Sequence, residues 1–239
     1  MKILEVNNIS KKYPGFELKG VAFSVEKGTI MGFVGRNGAG KTTVLKSIMN
    51  MVHTTEGNVT CFGMNMKENE NAIKQRIGYS GGAVDYYKKK KISKLLRITK
   101  GFYDNWDEDV SNRYMKLFSL DKNKTPSELS EGMKVKLNLV TALSHGAELL
   151  ILDEPTSGLD PVSREELLEI FTYLKTQGIS ILFSTHITSD LDKCADDITY
   201  IREGSIIYTG SIEKFTRGET LGDVMIRYEK EAFHEKIAL

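Results

Sequence analysis

The stretch TIMGFVGRNGAGKTTVLKSIM, residues 29–49, carries the strongest indication of fold in this 239-residue chain. Its first part, TIMGFVG, is an apolar run that predicts a buried strand. The glycine-rich turn GRNGAGKTT follows at residues 35–43, and a helical pattern runs from about Lys41 to Met51. The turn fits G-x-x-x-x-G-K-[ST] in the strand–turn–helix context that this pattern requires. The stretch therefore predicts an α/β domain that binds phosphate groups.

We call residues 35–43 the phosphate loop. Its glycines let successive backbone N–H groups point at phosphate oxygens, and the helix N-terminus adds a partial positive charge. Lys41 is expected to reach the β- and γ-phosphates, and the Thr42 hydroxyl to bind Mg²⁺. The predicted nucleotide-binding residues of the loop are Gly35, Arg36, Asn37, Gly38, Ala39, Gly40, Lys41, Thr42 and Thr43.

A second apolar strand, LLILDE at residues 149–154, ends in two carboxylates. Ligands of open α/β sheets bind at the carboxyl ends of the strands, so Asp153 is placed to hold Mg²⁺ opposite Thr42. Glu154 is placed to polarise an attacking water as a general base. The alternative for Glu154 is a surface carboxylate that closes a strand.

Strands and helices alternate along most of the chain, which is typical of an α/β sheet. The first 35 residues favour strands, whereas the residues from about 83 to 145 carry helical spacing throughout. The alternation then resumes and leads to a hairpin that turns at Glu203 and Gly204. The tail places Leu221, Val224, Met225 and Tyr228 on one face of a helix, which predicts a packed C-terminal helix.

Composition excludes several classes of protein. The hydrophobic fraction is 40% and the formal net charge is +1, so nothing global argues for nucleic acid or an anionic membrane. The two cysteines, Cys61 and Cys194, show no pairing or metal spacing, which suits a reducing compartment. No apolar run approaches the roughly 18–20 residues of a membrane span, and no signal-peptide core is present. Any membrane association is therefore expected to come through a partner.

A second anion-binding helix start is found in LSEGM, residues 129–133, which we call the signature segment. Ser130 offers a hydroxyl, and Gly132 permits close approach of the backbone at the start of a helix. Ser130 also suits a plain helix cap, and both roles can hold together. The chain thus carries two phosphate-binding helix starts.

The segments GRNGAGKTT, LSEGM, LLILDE, PTSGLD and STH, in this order, resemble the ATP-binding subunit of an ATP-binding-cassette (ABC) transporter. The segment NWDEDV around Trp106 resembles bacterial drug- or antibiotic-export cassettes. The resemblance implies one nucleotide-binding domain over residues 1–239, with a P-loop NTPase core of mixed sheet at 1–82 and 146–210. It also implies an N-terminal antiparallel β subdomain, an inserted helical subdomain at 83–145 and a helical tail at 211–239.

In this family two cassettes pack head to tail, and each ATP lies between the phosphate loop of one and the signature segment of the other. The two helix starts would then be halves of one composite site. By the same resemblance, His186 contacts the γ-phosphate and supports Glu154, Asp160 lies in the loop that joins the subunits, and Tyr13 stacks on adenine. For Tyr13 alone, a core or surface aromatic is the alternative.

The resemblance implies Mg²⁺-dependent hydrolysis of ATP that energises a separate transmembrane subunit, most simply an exporter. The second cassette is either a copy of this chain or a relative, and no nucleic acid is involved. The expected location is the cytoplasmic face of the cell membrane, with the isolated subunit soluble. The alternative is a soluble ABC ATPase in an assembly process such as iron–sulfur cluster biogenesis.

Two features depart from the family pattern, one in the signature segment and one at Gly82. Glu131 and Met133 replace Gly and Gln of L-S-G-G-Q, and a carboxylate about 5 Å from a γ-phosphate would cost about 3 kcal/mol per phosphate charge. We therefore expect Glu131 to face solvent or to pair with a base, in particular Lys134. Gly82 stands where the family has a glutamine that touches Mg²⁺ and the lytic water.

Lys88 to Lys91 suit either a solvated helix face or contact with a membrane partner or anionic lipid.

Overall fold

The computed structural model describes residues 1–81, 87 and 89–237, and of residues 235 and 236 only the backbone. The strands are β1 (Lys2–Tyr13), β2 (Phe16–Glu26), β3 (Ile30–Val34), β4 (Glu56–Cys61), β5 (Met64–Asn65), β6 (Ile77–Ser80), β7 (Leu149–Asp153), β8 (Ser180–Thr185), β9 (Asp197–Arg202) and β10 (Ser205–Ser211). The α-helices are α1 (Lys41–Ile48), α2 (Glu70–Lys74), α3 (Ile92–Lys100), α4 (Glu108–Leu117), α5 (Glu131–Ser144), α6 (Pro161–Thr176), α7 (Thr188–Cys194), α8 (Ile212–Thr216) and α9 (Leu221–Ile237).

The larger sheet has six strands in the order β10-β9-β3-β8-β7-β6. All its neighbours pair in parallel except β10 and β9, which form the expected antiparallel hairpin, so the predicted mixed sheet is confirmed. Every residue of β3, β7 and β8 is buried, as in strands covered on both faces. Since β8 pairs in parallel with both β3 and β7, the carboxyl ends of these three strands meet at one edge. The functional side chains lie at this edge.

A smaller antiparallel sheet, in the order β2-β1-β4-β5, confirms the N-terminal β subdomain. Its buried face packs with α1 and one face of the larger sheet into a shared apolar core. Within this core the rings of Phe23 on β2 and Phe33 on β3 lie 5.2 Å apart. The helix α1, predicted to continue to about Met51, ends at Ile48, because Asn50 adopts a left-handed φ of 55° that a helix does not continue through.

The described chain between β6 and β7 contains the helices α3, α4 and α5 joined by turns, as the helical spacing of the sequence predicts. Asp107 caps α4 by accepting hydrogen bonds from the N–H groups of Asp109 and Val110. The helix α5 packs on β6 so closely that a Cβ on Gly78 would lie 2.4 Å from the Cβ of Ala142. Gly82 and Lys88 lie outside the described residues.

The C-terminal part follows the predicted order. The hairpin turns at Glu203 and Gly204, whose φ angles are 48° and 78°. On α9, Leu221 and Val224 are buried, and the ring of Tyr228 lies 5.5 Å from that of Phe215, so the tail packs as a helix. Across the described part of the chain, none of the helices combines the length and the apolar character that a bilayer crossing requires.

Candidate active site

The phosphate loop connects β3 to α1 and requires glycine at two of its positions. A Cβ on Gly35 would lie 2.4 Å from the backbone oxygen of Ile201. Gly40, which precedes α1, has a φ of 111°, and a Cβ there would lie 2.8 Å from Phe16 and from Leu18. Backbone packing of β9 and side chains of β2 therefore fix the turn that opens α1.

Lys41 is the buried cation of the loop. Its ammonium donates a 2.7 Å hydrogen bond to the carbonyl oxygen of Gly35 and lies 3.2 Å from Oε1 of Glu154. The side chain is only 6% exposed, so its charge is not screened by bulk water. The lysine and the candidate base thus lie in direct contact at the edge of the sheet.

Thr42 and Asp153 form the candidate metal site. The Thr42 hydroxyl donates to Oδ2 of Asp153 at 2.7 Å, and the Ser184 hydroxyl donates to Oδ1 at 2.5 Å. A hydroxyl and a carboxylate are the hard oxygen donors that Mg²⁺ accepts, usually together with phosphate oxygens and waters. These residues fit Mg²⁺ at the mouth of the phosphate loop.

Glu154 has a backbone conformation that aims its side chain. Its φ is 50°, a left-handed value that costs a residue with a side chain on the order of 1–3 kcal/mol. Its N–H donates to the hydroxyl of Ser184 at 2.9 Å, which holds this conformation. Oε2 lies 2.8 Å from Nδ1 of His186, while Oε1 faces Lys41. The carboxylate is therefore held between the loop lysine and the predicted histidine.

Around the loop lies an open cavity of about 370 Å³. Its lining residues are Phe16, Arg36, Asn37, Gly38, Gly40, Lys41, Thr42, Thr43, Glu154, Ser157 and His186. Tyr13, the predicted adenine contact, is 37% exposed beside this cavity, and its ring centre lies 6.5 Å from that of Phe16. The aromatic wall of the cavity is Phe16, with Tyr13 next to it.

Arg36 links the loop to the C-terminal helix. Its guanidinium lies 3.6 Å from Oε2 of Glu229 on α9. The other carboxylate oxygen of Glu229 accepts a hydrogen bond from the buried hydroxyl of Tyr200 on β9. A carboxylate of the last helix is thus held beside the phosphate loop.

The signature segment opens α5 as the sequence predicts. The Ser130 hydroxyl caps the helix by accepting a 3.3 Å hydrogen bond from the N–H of Met133. Gly132 packs against α6, where an added Cβ would lie 3.3 Å from the Cβ of Ser163. The expectation for Glu131 is confirmed, since its carboxylate lies 2.6 Å from the Lys134 ammonium.

Asp160 caps the neighbouring helix α6. Its Oδ1 accepts hydrogen bonds of 3.0 Å from the N–H groups of Val162 and Ser163. Hydrogen bonds from Ser163 and then Val162 hold the pKa of this carboxyl below its usual range. Because Gly132 packs against Ser163, the start of α5, capped by Ser130, lies next to the start of α6, capped by Asp160.

The predicted residues fall into two groups within this chain. Lys41, Thr42, Asp153, Glu154 and His186 come together at the phosphate loop. Ser130, Gly132 and Asp160 are not among the described residues that line the cavity around the loop. Glu131 of the signature segment lines a neighbouring cavity that also contains Glu154, so the two helix starts border different cavities of one subunit.

Sequence reasoning missed two residues of the site. Ser184 bonds both Asp153 and the backbone of Glu154, and the parallel register that places it opposite Asp153 could have revealed it. Phe16 lines the cavity because it pairs with Tyr13 across the β1–β2 turn. No local pattern distinguishes Phe16 from a core aromatic.

The fold and the site define a nucleotide-binding ATPase of the phosphate-loop class. A strand, a glycine-fixed turn and a helix hold a buried lysine beside a hydroxyl–carboxylate pair and a second carboxylate. A sequence model of the protein family described as "ABC transporter" matches residues 18–157, more than half of the chain, and this match establishes the family. The chain belongs to the ABC transporter family and is an ABC ATPase, as the sequence motifs predict.

Relatives and solved structures agree with this assignment. The chain is 31% identical to the ABC transporter ATP-binding protein YtrB of Bacillus subtilis (strain 168), over 85% of the chain and 70% of the relative. It is 32% identical to the bacitracin transport ATP-binding protein BcrA of Enterococcus faecalis, over 86% and 68%. The structure of an ATP-binding subunit of an ABC transporter covers 94% of this chain with a TM-score of 0.84, at 27% identity and 98% coverage of its own length. These relatives are transport proteins by name, so the alternative of an assembly ATPase is not favoured.

Proposed function

We propose that this chain binds Mg²⁺–ATP at the phosphate loop and hydrolyses it with Glu154 as the general base. The observation that carries this proposal is the position of the Glu154 carboxylate, 3.2 Å from the Lys41 ammonium and 2.8 Å from Nδ1 of His186. A base must lie within hydrogen-bond reach of the water it activates, and the γ-phosphate belongs at Lys41. Glu154 therefore lies where the attacking water must be held.

Each residue of the site has a separate task. A γ-phosphate in the loop competes with Glu154 for the Lys41 ammonium, which releases one carboxylate oxygen to accept a proton from water. His186 keeps the other oxygen in place. Mg²⁺, when held by Thr42 and Asp153, neutralises charge on the phosphates. Ser184 orients Asp153 and the Glu154 backbone, so the geometry is fixed before nucleotide binds.

We assign the adenine to the aromatic wall of the cavity. Phe16 lines this wall and Tyr13 lies exposed beside it, with the Lys11 ammonium 5.6 Å from the Tyr13 ring. Stacking of a base on such a ring contributes roughly 1–3 kcal/mol. The predicted role of Tyr13 is thus kept, with Phe16 as a second contact.

The composite site follows from the separation of the two helix starts. Ser130 and Gly132 of a second cassette would contact the γ-phosphate bound in the loop of the first, with Asp160 beside the junction. Hydrolysis removes that phosphate and with it the bridge between the subunits, so the two cassettes can separate after each hydrolysis. The second cassette is either another copy of this chain or a relative.

We propose export through a separate transmembrane subunit as the process that this ATPase energises. The support is the similarity to BcrA, which is named for bacitracin transport, together with the export-type segment around Trp106. The chain would then act as a peripheral subunit at the cytoplasmic face of the membrane. We keep the domain division expected from the sequence as part of this proposal, with the ATPase core at 1–82 and 146–210, the helical subdomain at 83–145 and the tail at 211–239.

The test is the substitution Glu154→Gln, which keeps size and hydrogen bonding but removes the base. With Mg²⁺–ATP we expect retained nucleotide binding, hydrolysis lowered by a factor of about 100 or more, and accumulation of a dimer in size-exclusion chromatography. Glu165→Gln serves as the matched control, because Glu165 pairs with Lys193 on the surface of α6. Hydrolysis by Glu154→Gln at the rate of the unmodified chain would overturn the assignment.

A further inference from the structure

A second cavity lies on the other side of Glu154. It measures about 280 Å³ and shares Glu154 and Ser157 with the cavity around the phosphate loop. Asp153, Ser80 and Asn138 also line it. Both carboxylates of the site therefore face a space bordered by the end of β6 and by α5.

The position of Asn138 on α5 connects two functional regions. Ser130, Lys134 and Asn138 are spaced four residues apart and share one face of the helix. Lys134 and Asn138 both line the cavity beside Glu154. Eight residues of helix span about 12 Å, so one rigid element joins the signature segment to the edge of the sheet.

Asn138 is bonded to that edge. Its side-chain amide donates a 3.0 Å hydrogen bond to the hydroxyl of Ser80. Ser80 is the last residue of β6 and pairs in parallel with Leu152, the residue before Asp153. Asparagine is a poor helix former, and this bond to a neighbouring strand is what the side chain gains at its half-buried position.

The end of β6 lies within the field of Asp153. Burial raises the pKa of the Tyr79 phenol, and the negative charge of Asp153 raises it further. A serine hydroxyl that accepts a hydrogen bond keeps its own O–H as a donor. With its acceptor side held by Asn138, Ser80 can direct that O–H into the cavity toward a water bound at Glu154.

We propose that Asn138 is a positioning residue for ATP hydrolysis, acting through Ser80 to hold the signature helix α5 against the carboxyl end of β6. The pair supplies a neutral polar contact beside the two carboxylates, in a chain whose position 82 carries no side chain. Movement of α5 when a second cassette binds is then transmitted to the water at Glu154. This inference rests on the proposed ATPase site and names a residue that its motifs do not include.

The test uses single-turnover hydrolysis of Mg²⁺–ATP by the full chain, with equilibrium binding of nucleotide measured separately. Asn138→Leu, similar in size but without the amide, should slow hydrolysis about tenfold, as expected for a residue that orients others. The nucleotide Kd should stay within about twofold, because the amide bonds Ser80 at the end of β6. Ser80→Ala should give a similar loss, and the double variant should be no slower than either single one.

Thr141→Val is the matched control, since Thr141 lies one turn further on α5 and its hydroxyl bonds the carbonyl of Leu137 within the same helix. It should hydrolyse ATP at the rate of the unmodified chain. Full activity in Asn138→Leu or Ser80→Ala, or losses that multiply in the double variant, would overturn the proposal. A parallel loss of nucleotide binding would assign Asn138 to packing alone. Failure of the unmodified chain to hydrolyse ATP would instead refute the proposed function.

Discussion

The two helix starts that suit phosphate are built in different ways. The start of α1 belongs to the sheet, since β3 leads into it, contacts from β2 and β9 fix its glycines, and its lysine is 6% exposed. The start of α5 exposes Ser130, which caps its own helix, and Glu131, which is bonded to Lys134, while Gly132 is buried against α6. The start of α1 is a nearly complete phosphate-binding site, whereas the start of α5 presents hydrogen-bond donors to a second surface.

A phosphate-binding helix start therefore need not act on the nucleotide of its own chain. A phosphate loop that is held by long-range contacts can bind nucleotide in a single chain, because folding of the domain has already ordered the loop. An exposed cap needs a second surface to become a site. Nucleotide binding by one chain and dimerisation of two chains should therefore respond to different substitutions.

The largest effect is expected from Lys41→Ala, which removes the buried cation of the phosphate loop. We expect the Kd for Mg²⁺–ATP to rise by a factor of about 100 or more, because a charge-assisted contact in a water-poor site is lost. Isothermal titration calorimetry measures this directly. Lys46→Ala, on the exposed side of the same helix, should bind as the unmodified chain does. Unchanged binding in Lys41→Ala would mean that the loop is not the nucleotide site.

Ser130→Arg should separate the two starts. The bulky side chain would block approach of a second cassette, so ATP-driven dimerisation in a Glu154→Gln background should fall at least about tenfold. Nucleotide binding to the monomer should change less than about twofold. Sedimentation velocity with and without ATP measures dimerisation of the chain with and without Ser130→Arg. The control is Ser119→Arg, at an exposed serine outside the signature segment. Equal loss of monomer binding would show that the signature segment acts within its own chain.

The glycines of the two starts should differ in their effect on stability. Gly40→Ala forces a Cβ to 2.8 Å from Phe16 at a φ of 111°, and should cost about 3 kcal/mol. Gly132→Ala meets only a 3.3 Å contact with Ser163 and gains helix propensity of about 1 kcal/mol, so its net effect should be under about 1 kcal/mol. Urea denaturation compares the free energies of unfolding. Similar losses in both variants would contradict the structural contrast.

The smallest effect concerns His145, which ends α5 far from the signature segment. Burial lowers the pKa of His145, and its ring stacks on Tyr103 with centroids 3.7 Å apart. The unfolded chain therefore binds the proton more readily, so stability should decline as the pH falls below about 6.5, the ordinary value for histidine. His145→Phe keeps the stack but cannot titrate, and should show a flatter dependence in urea denaturation between pH 7.5 and 5.5. An unchanged pH dependence would refute this role.

The sequence predicted the fold and the polar residues of the phosphate-binding site, because motifs such as GRNGAGKTT encode local geometry. Pairing of Glu131 with Lys134 was one of two expectations, beside exposure to solvent, since residues three apart on a helix are neighbours. Ser184 and Phe16 were missed, and so was Asn138, which we propose as a positioning residue. Their contacts depend on strand register or on packing between distant segments, which no short pattern records.

The contact between Arg36 and Glu229 has a practical consequence for anyone who handles this chain. Glu229 is held on the last helix, so a purification tag fused beyond α9 is attached to the element that touches the phosphate loop. The opposite end is a safer place, because Met1 lies beside Glu26 on the small sheet, and a fusion there removes only an exposed pair between the Met1 amino group and Glu26. Nucleotide affinities should therefore be measured on chains tagged at the N-terminus and then cleaved.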